Sequence, residues 1–142
     1  MKKVLIALSL FAMLITACDN DDFATGAESP ILDKLTLSAN KVSPGEDVIG
    51  TVTYQYPGKD VIKMDYNVQA VNVGLGYDKS VAQGSLIGDN LKSPSFTFKA
   101  PDQPGNYRIT FSVSLVSVST GNAQGGPYVT PPSSVFTILT VE

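Results

Sequence analysis

From residue 31 onward the chain alternates apolar and polar residues with a period of two. Tyr107, Ile109, Phe111, Val113 and Leu115 fall on one face of an extended segment, and Arg108, Thr110, Ser112 and Ser114 fall on the other. Ile62, Met64, Tyr66, Val68 and Ala70 alternate with Lys63, Asp65, Asn67 and Gln69. Val48, Gly50, Val52, Tyr54 and Tyr56 alternate with Thr51, Thr53 and Gln55, Ile49 being the exception. A strand with one dry and one wet face belongs to an antiparallel sheet packed against a second sheet. No window carries an apolar stripe at helical spacing.

Turn residues separate these runs. Ser43-Pro44-Gly45-Glu46 and Tyr56-Pro57-Gly58-Lys59 each place Pro before Gly. That order suits a type II turn, because Pro holds φ near −65° and Gly accepts a positive φ. Pro94, Pro101 and Pro104-Gly105 bracket Phe96-Thr97-Phe98. The pattern predicts seven strands, near 32–39, 47–56, 60–73, 80–87, 94–100, 106–118 and 133–141. Ala70-Val71 and Leu115-Val116 break the alternation. Either a one-residue bulge restores it, turning Val71/Val73 and Val116/Val118 inward, or the strands run on past the core as hairpins. Val135-Phe136-Thr137-Ile138-Leu139-Thr140-Val141 is apolar on both faces, which leans toward burial by a partner or by a central position in the sheet.

The first 30 residues follow another pattern. Met1-Lys2-Lys3 is a short basic start, Val4 to Ile15 is apolar apart from Ser9, and the small residues Thr16 and Ala17 precede Cys18. A twelve-residue run is too short for a bilayer core, which needs about 20 residues in helical form, but it suits a secretory leader. Cys18 is the single cysteine and the chain has no histidine. It therefore has no disulfide partner in its own chain and no imidazole with which to share a metal. Asp19 to Pro30 is acidic, polar and small-residued except for Phe23. Such a stretch buries too little apolar surface to offset its chain entropy, and it is expected to act as a flexible tether.

Ile15-Thr16-Ala17-Cys18 resembles the lipobox of bacterial lipoproteins, in which an aliphatic residue and two small residues precede the modified cysteine. The resemblance implies cleavage before Cys18, a thioether-linked diacylglycerol on its sulfur and an acyl chain on its new amino group. Several buried acyl chains hold a protein to a bilayer where one does not. The expected organisation is a signal peptide at 1–17, a lipidated acidic tether at 18–30 and one domain at 31–142. The cluster Asp19, Asp21, Asp22 resembles export signals of surface lipoproteins in the Bacteroidota, implying an outer-membrane protein displayed outward. A plain solvated spacer that merely keeps the domain off the membrane fits those residues equally well; cation binding is a weaker third reading, because calcium needs about six to eight oxygens in a fixed cage.

Ala100-Pro101-Asp102-Gln103-Pro104-Gly105-Asn106-Tyr107-Arg108-Ile109 resembles the E–F region of immunoglobulin-like and fibronectin type III-like domains. There a tyrosine hydroxyl bonds back across the corner. Tyr107 matches that tyrosine, and Ile109 stands where antibody domains carry Cys. Val42 to Glu46 resembles the A–B region of bacterial immunoglobulin-like modules. The resemblance implies an all-β, antiparallel immunoglobulin-like β-sandwich. The chain has no Trp and no cysteine pair, so an antibody-type core pin is excluded; Met64 or Tyr66 is expected to plug the third strand. The Tyr107 ring is expected beside Phe111 or Phe98.

Charge narrows the partners. Without residues 1–17 the remaining 125 residues hold 8 Lys/Arg against 13 Asp/Glu, a formal −5. A mildly acidic domain without a basic cluster is a poor partner for nucleic acid or anionic headgroups.

Catalysis without histidine would need carboxylates, Lys or Tyr. Asp60 and Asp65 fall on opposite faces, Glu46-Asp47 borders a turn, and Gly74 to Ser80 lacks the Gly before Lys-Ser and the following helix of a phosphate loop. The expectation is a non-enzyme with no metal and no cofactor beyond the covalent lipid on Cys18. It binds a glycan or protein ligand or, alternatively, serves as a structural or accessory subunit of an envelope complex. Candidate ligand residues are Tyr128, Asn122 and Gln124 in the long stretch 119–132, and Tyr77 in the Gly-rich stretch 74–80. Immunoglobulin order puts these two stretches at opposite poles, which argues against one shared site.

Overall fold

The computed structural model describes residues 30–55, 61–118 and 127–142. The expected signal peptide, Cys18, the tether before Pro30 and the turn at 56–59 lie outside the described residues. Nine strands follow in order: β1 (Ile31–Leu37), β2 (Lys41–Val42), β3 (Asp47–Gln55), β4 (Val61–Asn72), β5 (Tyr77–Leu86), β6 (Ser95–Lys99), β7 (Gly105–Val118), β8 (Pro127–Val129) and β9 (Ser133–Val141). Short 3₁₀ turns occupy Val73–Leu75 and Gly88–Leu91.

Strands β1-β3-β6 form one sheet and β2-β9-β7-β4-β5 the other, with β8 added to the end of β7. Every pairing is antiparallel except the two-residue β2–β9 ladder. This is an immunoglobulin-like β-sandwich. The seven expected strands are all present; β2 and β8 are too short to show any alternation.

The inner faces meet as the alternation requires. Strand β3 buries Val48, Gly50 and Val52 and exposes the residues between them. Strand β7 buries Tyr107, Ile109, Phe111, Val113 and Leu115. Phe96 of β6 stacks on Phe111 of β7, rings 5.6 Å apart and 13° from parallel, which ties one sheet to the other. Phe98 and Tyr66 extend this stack. Met64 is fully buried and Tyr66 half-buried, so both plug β4.

The strand register decides the points that alternation left open and corrects others. No bulge occurs at Val71 or Val116: β4 and β7 stay in register from Lys63↔Val116 to Val71↔Arg108. Val116 is buried on the outward side, in register with Val129 of the added β8, so its apolarity reflects cover on that side. Val73 sits in the 3₁₀ turn and is 89% exposed. The bulge on β4 lies instead between Val61 and Lys63, and it throws Ile62 outward although alternation placed it inside. Two more register shifts leave Asp33 unpaired on β1 and Val81 unpaired on β5. Both strands are sheet edges, where a bulge discourages pairing with another chain. Strand β9 is covered by β2 only at Thr140 and Val141. Its Phe136 and Ile138 are exposed on the outer face, with the Arg108 guanidinium 4.5 Å over the Phe136 ring.

Antiparallel order sorts the strand ends into two poles. The chain enters at Pro30 beside the end of β3, since Ile31 opposes Gln55. This entry pole also holds the start of β4, the ends of β5 and β7, and β8. The far pole holds the β4–β5 turn, the β6–β7 corner and the turn before β3.

Candidate functional site

At the far pole three local structures lock together. Ser43–Glu46 is a tight turn in which Gly45 has φ 73° and the Glu46 N–H donates to the Ser43 carbonyl at 3.2 Å. A side chain at Gly45 would be strained, as a type II turn demands. This turn is tied to the β6–β7 corner by Gly45 N–H to Ala100 O (3.2 Å) and Ala100 N–H to Glu46 O (2.8 Å). In the corner itself the Tyr107 hydroxyl donates to the Gln103 carbonyl at 2.7 Å. The ring that Tyr107 meets is Tyr77, edge-on at 5.2 Å and 80°, whereas Phe111 and Phe98 stack on Phe96. The β4–β5 turn is thereby packed against the corner. Asn72 holds the turn by accepting from Leu75 N–H at 3.0 Å.

Between turn and corner lies an open cleft of about 640 Å³, lined in part by Leu75, Tyr77, Lys79, Lys99, Pro101 and Asp102. The Lys79 ammonium stands 5.2 Å over the Tyr77 ring, and Lys99 pairs with Asp47 at 2.8 Å. Asp78, also at the cleft, accepts from Gln69. Burial raises the phenol pKa of Tyr77, helped by Tyr107 and by the Asp102 charge. Tyr107 is raised by burial and then by Asp102. Both phenols therefore stay protonated as hydrogen-bond donors at neutral pH. The cleft offers an aromatic ring, apolar Leu75 and Pro101, and charges of both signs. That set suits a polar ligand with an apolar face.

Of the sequence candidates, Tyr77 is in this cleft. Asn122 and Gln124 lie outside the described residues. Tyr128 pairs through its backbone with Ser117 at the entry pole. Tyr77 opposes Asn72, one step beyond the Val71↔Arg108 pair. About nine residues of β7 therefore separate the two levels, on the order of 30 Å. Tyr77 and Tyr128 do not share a site. Lys79, Lys99 and Asp102 escape sequence reasoning because they come from three separate segments that only the strand register brings together. The corner motif around Tyr107 locates one wall of the cleft but not the turn opposite it.

The outer face of β4, β5 and β7 is a polar ladder. Ser85 donates to Asp65 and Ser80 to Asn67, each at 2.5 Å. The Asp65 carboxyl pKa is lowered, first by the Ser85 hydrogen bond, against a smaller opposing effect of burial, and further by Lys63 at 3.1 Å. These polar groups bond one another across the strands. Among the described residues no three His, Cys, Asp or Glu side chains are grouped to hold a metal ion.

No family model matches the chain, and no curated protein matches it. Among solved structures it is similar to the fibronectin type III domain of a human fibronectin type III domain-containing protein. The TM-score is 0.40 and the identity 11%, over 84% of this chain and 94% of that one.

Proposed function

We propose that this chain is a lipid-anchored, non-catalytic binding module of the bacterial cell envelope, whose ligand, a glycan or a protein, seats in the far-pole cleft. One observation carries the reading: the described chain begins at Pro30 at one pole, and the cleft opens at the other. A module anchored through Cys18 holds such a cleft away from the bilayer, toward whatever lies beyond it. Tyr77 supplies a ring for stacking, with Lys79 and Asp102 beside it for hydrogen bonds. This moves the favoured contact from Tyr128, Asn122 and Gln124 to Tyr77 and its neighbours.

A diazirine side chain substituted at Lys79, in one strain, and at Tyr128, in another, tests the reading on intact cells. The reading expects an adduct from position 79 and none from 128. An adduct from 128 alone would place the ligand at the entry pole and overturn it. The accessory-subunit reading is favoured by the exposed pair Phe136 and Ile138 on the outer face of β9. It expects an adduct from a third strain carrying the diazirine at Phe136 and none from position 79.

A further inference from the structure

The entry pole is rimmed by exposed aliphatic side chains from four separate segments. Ile31 is 65% exposed, Ile62 50%, Ile87 64% and Val129 64%. The strand register brings all four to the same end. Ile31 opposes Gln55 at the end of β3, and Val129 opposes Val116 near the end of β7. Lys63 shares that Val116 level, with Ile62 beside it. Ile87 follows Leu86, which opposes Met64. The far pole also carries exposed aliphatics, Val73 and Leu75 in one turn, Ile138 level with Arg108 and Ile49 near the start of β3; what sets the entry pole apart is that the chain enters there.

Single exposed apolar residues are ordinary on protein surfaces, but several carried to one end can together form a contact surface. Ile62 is exposed because the β4 bulge turns it out of the core. The chain also enters the domain at this pole. Cys18 lies twelve residues before Pro30, a span of at most about 40 Å when fully extended. Lys63 stands at the margin already engaged with Asp65, and Asp89 is exposed nearby in the 3₁₀ turn after β5.

We infer that the entry pole is a second, weak membrane contact, in which Ile31, Ile62, Ile87 and Val129 rest in the interface of the bilayer that holds the lipid on Cys18. The inference rests on the lipid-anchor reading. The contact limits how the domain tilts on its tether and keeps the far-pole cleft pointing away from the lipid. Aliphatic side chains carried to the surface by a covalent anchor need little affinity of their own, because tethering supplies a high effective concentration.

The lipidated protein lends itself to a test, since a thiol introduced elsewhere is the one free thiol once Cys18 carries its thioether. Ile87→Cys and Ile62→Cys report the entry pole, and Val73→Cys reports the far pole. Each is labelled with an environment-sensitive fluorophore and reconstituted in neutral phosphatidylcholine vesicles, with and without bromine on the acyl chains. The expected result is co-flotation with vesicles for all three, with blue-shifted, bromine-quenched emission at 87 and 62 and none at 73. Flotation with all three probes unquenched overturns the membrane contact while leaving the anchor intact. Failure of all three to float overturns the anchor and the contact together. Quenching at 73 equal to that at 87 means the domain tumbles freely, which also overturns it.

Discussion

The tip of the Phe96 ring of β6 covers Gly50 of β3, its partner in register, so closely that a Cβ built on Gly50 would stand 2.1 Å from the ring's Cζ. The same ring stacks on Phe111 of the opposite sheet. A missing side chain on one strand thus creates the space for the ring that joins the two layers. Gly50→Ala is expected to destabilise by about 1–3 kcal/mol or more, as overpacking of a filled core does. Phe96→Ala should cost about 3–5 kcal/mol. The double variant should cost clearly less than the two combined, since the added methyl then occupies the space the ring left. Urea midpoints measure all three, and strict additivity would show that the two residues do not share this space.

The hydrogen bond from Tyr107 to Gln103 gives a second expectation. Tyr107→Phe removes one such bond and should cost about 0.5–1.5 kcal/mol. Tyr107→Ala also removes a fully buried ring and the edge contact to Tyr77, for about 3–5 kcal/mol. An alanine variant with the wild-type urea midpoint would contradict the corner and the register of β7.

Tyr77 and Tyr107 also set an alkaline limit. Their phenol pKa values are raised in the folded chain, mainly by burial, so the unfolded chain loses these protons first. Their contribution is complete below the unfolded value of ~10 and is lost as pH rises through the higher folded values. Thermal midpoints should therefore fall above about pH 10, and less steeply in Tyr107→Phe. An unchanged slope in that variant would remove Tyr107 from the cause.

Asp65 acts on the acid side with the opposite sign. Its lowered pKa gives stability that is present above the ordinary aspartate value of ~3.9 and is lost as pH falls through the folded value. The carboxyl is partly exposed and solvent-screened, so the effect is small. Ser85→Ala removes the largest cause and should flatten the acid slope below about pH 4. Equal slopes for wild type and variant in acid titrations followed by circular dichroism would contradict this.

Thr130 is 2% exposed, and its hydroxyl accepts the Leu115 N–H at 2.8 Å while its own N–H donates to the Leu115 carbonyl at 2.9 Å. Thr130→Val keeps the shape but leaves the Leu115 donor unpaired. A cost of about 1–3 kcal/mol is expected, with faster amide exchange at Leu115 and through β8. Unchanged exchange at Leu115 would show that the hydroxyl is dispensable.

The sandwich was legible wherever one sheet face is buried and the other wet, as in β3 and β7, because each side chain there reports its face directly. Alternation misled where cover came from elsewhere. Val116 lies outward yet is buried in register with β8, and Ile62 leaves the core because of a bulge that hydropathy does not record. Tyr107 was legible from the Pro-Gly bend before it. Its ring partner was not, because Tyr77 reaches it through a turn 30 residues earlier in the chain. The cleft was hidden for the same reason: no local pattern connects Lys79, Lys99 and Asp102.

The assignment of one pole to the membrane and the other to a ligand turns on Cys18. Metabolic labelling with an alkyne fatty acid, followed by fractionation, tests it most directly on wild type and Cys18→Ser side by side. The account expects label on the wild-type protein in the membrane fraction, and no label on the serine variant, which stays uncleaved or unanchored. Label retained by Cys18→Ser, or an unlabelled wild-type protein recovered in the soluble fraction, would contradict it.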